Sequence, residues 1–150
     1  MPWVISFIVS WIVFFFLVDF SKIKVNVIGG TLALSLATFV DWGGQELGLY
    51  RFHDLIIPWF GCSAFYKFGP ILTMGTIFTQ YVPNRKWFQL INVIVSSLLF
   101  LFLELITINT HVAEYVHWHF IASLLVDLLT FSSLTWITVT YLRSDNKLSV

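Results

Sequence analysis

Charge is scarce in this chain. Asp, Glu, Lys and Arg make up 11% of its 150 residues, and the eight basic and eight acidic side chains cancel. Soluble domains run near a quarter charged. No basic tract or charged tail is available to grip a phosphate backbone, which excludes nucleic acid as a partner. Cysteine is almost missing as well. Cys62 stands alone, so no intramolecular disulfide can form. It follows Trp-Phe-Gly in mid-chain rather than after a signal peptide, and it reads as a packing residue of the membrane domain. No Lys or Arg precedes the first apolar run and no small-x-small cleavage site follows it, so that run is expected to stay in the mature protein. Internal repeats, low-complexity tracts and alternating ten-residue strands are also lacking, which argues against a transmembrane barrel.

Apolar surface is present in quantity. The chain is 58% hydrophobic and 19% aromatic, with a mean hydropathy of +0.86. A water-soluble fold of this length could not bury so much, so the solvent is expected to be lipid. Only helices and closed barrels satisfy their backbone there. The fold class expected is therefore all-α, a polytopic membrane helix bundle forming one domain over residues 1–150.

Five segments are long enough to span: residues 2–18, 25–43, 63–82, 88–108 and 119–142. The fourth is the clearest and the second the weakest. Between the second and third, LIIPWF (55–60) is apolar but too short, and Pro58 disfavours a helix. It is expected to lie at the interface. Five spans put Lys22, Lys24, Arg85, Lys86, Arg143 and Lys147 on one side and only Arg51 and Lys67 on the other. Positive residues mark the cytoplasmic face. The expectation is a multi-pass protein of the cell membrane, N-terminus outside and C-terminus cytoplasmic.

On that topology HVAEYVHWHF (111–120) is the outer link between the last two spans. Three histidines and Glu114 invite a metal reading, but zinc needs three or four ligands at fixed geometry. His117 and His119 are two apart, and no H-E-x-x-H signature is present. The expectation is no metal and no cofactor, with pH sensing by histidine a lesser alternative. The blander reading is a polar link whose Tyr115 and Trp118 sit at headgroup level. Trp3, Trp42 and Trp59 are likewise read as outer anchors and Trp87 as an inner one.

The intramembrane polar residues are stronger candidates. A charge near the bilayer centre costs about 2.5 to 3.5 kcal/mol on insertion scales and normally faces a partner. Asp41, Lys67, Glu104 and Asp127 all fall in the outer half of their spans. Helical spacing places them on polar or small-residue stripes: Gly29, Ala33, Ala37 and Asp41 on the second span; His119, Ser123 and Asp127 on the fifth; Ser97 and Glu104 on the fourth. Tyr66, Gly69, Thr73, Thr76 and Gln80 form the stripe of the third, with Lys67 beside it and Pro70 positioned to kink it. The candidate cluster is thus Asp41, Lys67, Glu104, His119, Ser123 and Asp127. It lines either an outward-opening cavity or a structural network that fixes helix register. Asp127 is the deepest charge. Its expected partner is Lys67, with Glu104 or Asp41 as the alternative.

The order of these features resembles an uncharacterised family of small multi-pass membrane proteins from spore-forming Gram-positive bacteria. GLYR (48–51), the run FGPILTMGTIFTQYVPNRKWFQLINVIVSSLLFLFLELI (68–106) and HWHF (117–120) carry the resemblance, which covers about residues 31 to 142. Where that family usually has an acid near the start of the third span, this chain has Tyr66 and Lys67. The resemblance implies architecture and a bacterial membrane setting, and no activity.

Taken together, these features predict a non-enzymatic binding or accessory component whose partners are the lipid bilayer and other membrane proteins or copies of itself. A small transporter or ion-conducting oligomer using the intramembrane acids is the alternative, and a membrane-embedded enzyme is the third choice.

Overall fold

The computed structural model describes residues 2–143. Lys147, one of the basic residues used for orientation, lies outside the described residues. The chain is mostly helical and contains five helices. Helix α1 is Pro2–Leu17, and α2 is Ile23–Glu46, entered through a 3-10 turn at Phe20–Lys22. Helix α3 is built from Ala64–Tyr66, a π-helical turn at Lys67–Ile71, and Leu72–Tyr81. Helix α4 is Lys86–Asn109, and α5 is Phe120–Ile137 with a π turn at Thr138–Leu142.

Three helical stretches are long and apolar enough to cross a membrane: Phe20–Glu46, Lys86–Asn109 and Phe120–Leu142. The segment with the weakest sequence signal is the longest of them, at 27 residues. Helix α1 has 16 residues, about 24 Å at 1.5 Å per residue against a hydrocarbon core near 30 Å. Helix α3 carries Lys67, three threonines and Gln80, which dilute its hydropathy. The exterior is apolar on every long helix. Phe102 on α4 is 61% exposed and Leu129 on α5 is 70% exposed, as a lipid-facing surface requires.

The helix ends form two layers. At one end Gln80 ties three segments together. It accepts from the Asp19 N–H at 2.8 Å and the Asn26 amide at 3.3 Å, and donates to the Leu17 carbonyl at 2.9 Å. Arg143 donates to Asn84 at 2.9 Å beside it. Lys22, Lys24, Arg85 and Lys86 belong to this basic end. Asp19 caps the turn there, and the N–H and hydroxyl of Ser21 hold its carboxyl below the usual carboxylate range.

The opposite end contains strands, which an all-helical reading did not anticipate. Strand β1 (Tyr50–Phe52) pairs antiparallel with β4 (Ala113–Tyr115), matching Tyr50 with Tyr115, Arg51 with Glu114 and Phe52 with Ala113. The link between α2 and α3 and the link between α4 and α5 are therefore stitched to each other. The apolar 55–60 stretch ends in a hairpin, β2 (Pro58–Trp59) with β3 (Cys62–Ser63). Phe60 and Gly61 turn it with φ of 38° and 83°, the two positive angles that a two-residue hairpin turn demands. Ile56, Ile57 and Phe60 project from it, each about half exposed or more.

Helices α2 and α3 pack at backbone distance. A Cβ on Gly30 would lie 2.8 Å from the Leu72 carbonyl oxygen, and one on Gly29 would strike Thr79. The α3 threonines turn their hydroxyls to their own helix: Thr76 to Leu72 O at 2.8 Å, Thr79 to Gly75 O at 2.8 Å. Below, Ala33, Phe78, Val82, Val93, Phe131 and Leu134 close the basic half of the bundle with an apolar plug. Near the other end Trp3, Cys62, Tyr66, Ile71 and Val112 form a second cluster. Trp3 is 1% exposed and donates to the His53 carbonyl at 3.1 Å, so it is a core residue rather than an interfacial anchor.

A candidate binding cavity with an unmatched carboxylate

The short roof sheet sets the geometry. Alternate residues of a strand face one side. Tyr50 and Phe52 on β1, with Ala113 and Tyr115 on β4, point down into a cavity between the helices, while Arg51 is exposed above and Glu114, also exposed, borders the cavity at its rim. The cavity measures about 110 Å³, and α2, α3, α4 and α5 all contribute to its wall.

Four of the six candidate residues line it: Asp41, Glu104, Ser123 and Asp127. Each arrives on a different turn of a different packing face, except that Ser123 and Asp127 sit one helical turn apart on α5. Glu104 is well supplied with donors. Its Oε1 accepts from the Tyr115 hydroxyl at 2.9 Å and from the Ser123 hydroxyl at 2.8 Å. Ser123 is braced in turn by the Trp118 indole N–H at 2.7 Å. The polar link of the sequence reading therefore folds inward, and Tyr115 and Trp118 leave the headgroup level to build the wall. Burial raises the Tyr115 phenol above its ordinary range and Glu104 adds to the effect, so it stays a donor. Tyr50 is raised for the same first reason, with Asp41 beside it at 3.2 Å.

Lys67 is fully buried behind the wall. Its ammonium donates to Asp41 and, at 3.0 Å, to the Ala37 carbonyl. The pairing of Lys67 with Asp127 expected from depth is therefore corrected: the partner is Asp41. Depth along the bilayer said nothing about neighbours. The glycine contact brings α3 against α2, and Lys67 opens the π turn containing Pro70, so its side chain is committed to the α2 face. Just past that turn the Thr73 hydroxyl donates to the Gly69 carbonyl at 2.9 Å.

Asp127 has no such partner. It is 8% exposed, it borders the cavity, and its Oδ2 receives no hydrogen bond from any described residue. His119 stays outside the cluster. It is exposed at the N-cap of α5, where its carbonyl accepts from Ala122 and Ser123 N–H groups at 2.9 and 3.3 Å. His111 and His117 are exposed too, and His53 lies 3.3 Å from Glu114. Among the described residues no three His, Cys, Asp or Glu side chains converge to hold a metal ion.

Sequence reasoning missed Tyr50, Tyr115, Trp118 and the Tyr66 ring as wall residues. Their proximity arises from a rung pairing residues 50 and 115, for which a three-residue strand leaves no periodic signal. No family model, curated protein or solved structure matches the chain.

Proposed function

We propose that the protein is a non-enzymatic binding component of a bacterial cytoplasmic membrane, with five spans, the N-terminus outside, and the roofed cavity as an outward-facing binding site. One observation carries the reading: Asp41, Glu104 and Asp127 share one cavity wall, and of these three only Asp41 has a basic partner among the described residues, while Glu114 at the rim faces His53. A network built solely for stability normally gives its buried polar groups a hydrogen-bond partner, and a carboxyl is the costliest of them to leave without one. The grouping of Lys22, Lys24, Arg85 and Lys86 at the other end supports the orientation, and the resemblance to small membrane proteins of spore-formers supports the setting. The apolar plug at Phe78, Val93 and Leu134 weighs against a continuous ion path. Ser123 is engaged by Glu104, Tyr115 and Trp118, and so serves the wall better than it would serve as a nucleophile.

Thiol labelling tests this in intact cells. Val126→Cys adds a thiol to the cavity wall and Val93→Cys adds one to the plug. Native Cys62 is a quiet background, since it is fully buried and burial raises its thiol. A small membrane-impermeant thiol reagent added outside should modify Val126→Cys and leave Val93→Cys intact. Equal protection of both would overturn an outward cavity. Reporter fusions after residues 21, 52, 85 and 113 should alternate in, out, in, out, and a cytoplasmic signal at 52 would remove the second span.

A further inference from the structure

The charge on the cavity wall is unbalanced. Four carboxyls border it. Asp41 has Lys67 and the exposed Glu114 at the rim has His53 at 3.3 Å, while Glu104 and Asp127 have no basic neighbour among the described residues, and no Lys, Arg or His is among the described residues that line the cavity. Lys67, the buried cation nearby, is spent on Asp41 and Ala37. The unmatched Oδ2 of Asp127 is more than nine-tenths buried and accepts nothing. A buried carboxylate without a partner costs several kcal/mol unless it takes up a proton or meets a counter-charge, and the described residues supply no such charge to Asp127, which leaves room for one from outside the chain. A metal ion is a poor fit, because no three ligand side chains converge and the remaining wall is ring and hydrocarbon. Seven aromatic rings contribute to it, among them Tyr50, Trp118 and Phe100. Tyr50 and Trp118 meet edge to face at 5.7 Å, and Phe100 lies 6.5 Å from Tyr66. Rings around carboxylates attract a diffuse cation through their quadrupoles while sheltering its methylenes.

Resting on the binding-cavity reading, we propose that the cavity takes an organic ammonium group, with Asp127 as its counter-ion and the Tyr50, Trp118 and Phe100 rings as its cage. A free amine or quaternary amine from the outer medium and the amine headgroup of a lipid share this chemistry. About 110 Å³ suits a small ammonium with a short alkyl arm, given that one water needs roughly 10 to 15 Å³ on the same scale.

The test uses the full chain in nanodiscs of phosphatidylglycerol, which has no amine, with butyltrimethylammonium as probe in a calorimetric titration. Butanesulfonate and 1-butanol are the anionic and neutral controls. The probe should bind saturably and the controls should not. Asp127→Asn should weaken binding at least tenfold, and Asp127→Glu should retain most of it. Glu104→Gln keeps an acceptor for Tyr115 and Ser123 while removing the other charge, and should weaken binding several-fold. It stands in for Asp127→Asn should that variant fail to fold. Adding phosphatidylethanolamine to the discs separates the sources: competition assigns the site to a lipid headgroup, and unchanged affinity assigns it to a soluble amine. Equal affinity for 1-butanol, or a probe indifferent to both charge removals, would overturn the proposal. Cavity labelling at Val126→Cys with no probe binding would reject the ammonium and leave the cavity standing. Protection at Val126→Cys with no binding would reject both.

Discussion

The two halves of this bundle solve the same problem in opposite ways. The basic half has glycine, threonine and aliphatic side chains, and it packs its helices into contact: Gly29 and Gly30 against Thr79 and Thr76, with each hydroxyl returned to its own helix. Its open space is a polar recess at the helix ends around Asn26, Gln80 and Arg143. The other half has acids and rings, and it leaves room. Two loops that would be loose connections are zipped into a sheet, and the sheet roofs a cavity instead of filling it. Polar residues in lipid are thus handled locally where the helix can satisfy them, and collectively where it cannot. A local solution closes a contact. A collective one needs several elements to agree, and it is there that an unsatisfied carboxylate persists.

That contrast fixes an order of mutational effects. Removing the buried ammonium of Lys67 should be worst. Lys67→Met strips Asp41 of its counter-charge and should cost about 3 to 5 kcal/mol, read as unfolding free energy in bicelles. Restoring most of it with Asp41→Asn would confirm that the cost is the orphaned charge. Next comes the closed half. Gly30→Ala sets a Cβ 2.8 Å from a backbone carbonyl that cannot swing away, and a cost of about 1 to 3 kcal/mol is expected from overpacking. A tolerated alanine would mean that α2 and α3 stand further apart.

The open half should respond more gently. Ser123→Ala removes a hydroxyl shared by Glu104, Tyr115 and Trp118, yet membrane hydrogen bonds are worth about 0.6 to 2 kcal/mol, and a loss near 1 kcal/mol is expected by the same measurement. Asp127→Asn should have the smallest effect, within about 0.5 kcal/mol of the parent or more stable, because the carboxylate has no donor to lose. A loss as large as that of Lys67→Met would mean that Asp127 is structurally paired after all.

The helices were legible because lipid enforces long apolar runs, and small residues at Gly29, Ala33 and Ala37 signal close approach. What the sequence hid was every feature set by pairing between distant segments. Residues 50–52 and 113–115 are too short to show a period of two, so their strands were invisible and Tyr115 and Trp118 were assigned to headgroups. Trp3 reads as an interfacial anchor because it lies near a span end, but the roof covers it. The acids themselves could be named from their depth: Asp41, Glu104 and Asp127 do border one space. Their partners could not, since depth orders residues along the membrane normal and says nothing about which helix stands beside which. Lys67 shows the difference. It matches Asp127 in depth and Asp41 in space.

A pair of double-mutant cycles measures that difference directly. Unfolding free energies are needed for Lys67→Met, Asp41→Asn, Asp127→Asn and the two doubles that contain Lys67→Met. The predicted result is a coupling of about 2 kcal/mol or more between Lys67 and Asp41, and under about 0.5 kcal/mol between Lys67 and Asp127. A Lys67–Asp127 coupling equal to or larger than the Lys67–Asp41 coupling would contradict a cavity with an uncompensated carboxylate.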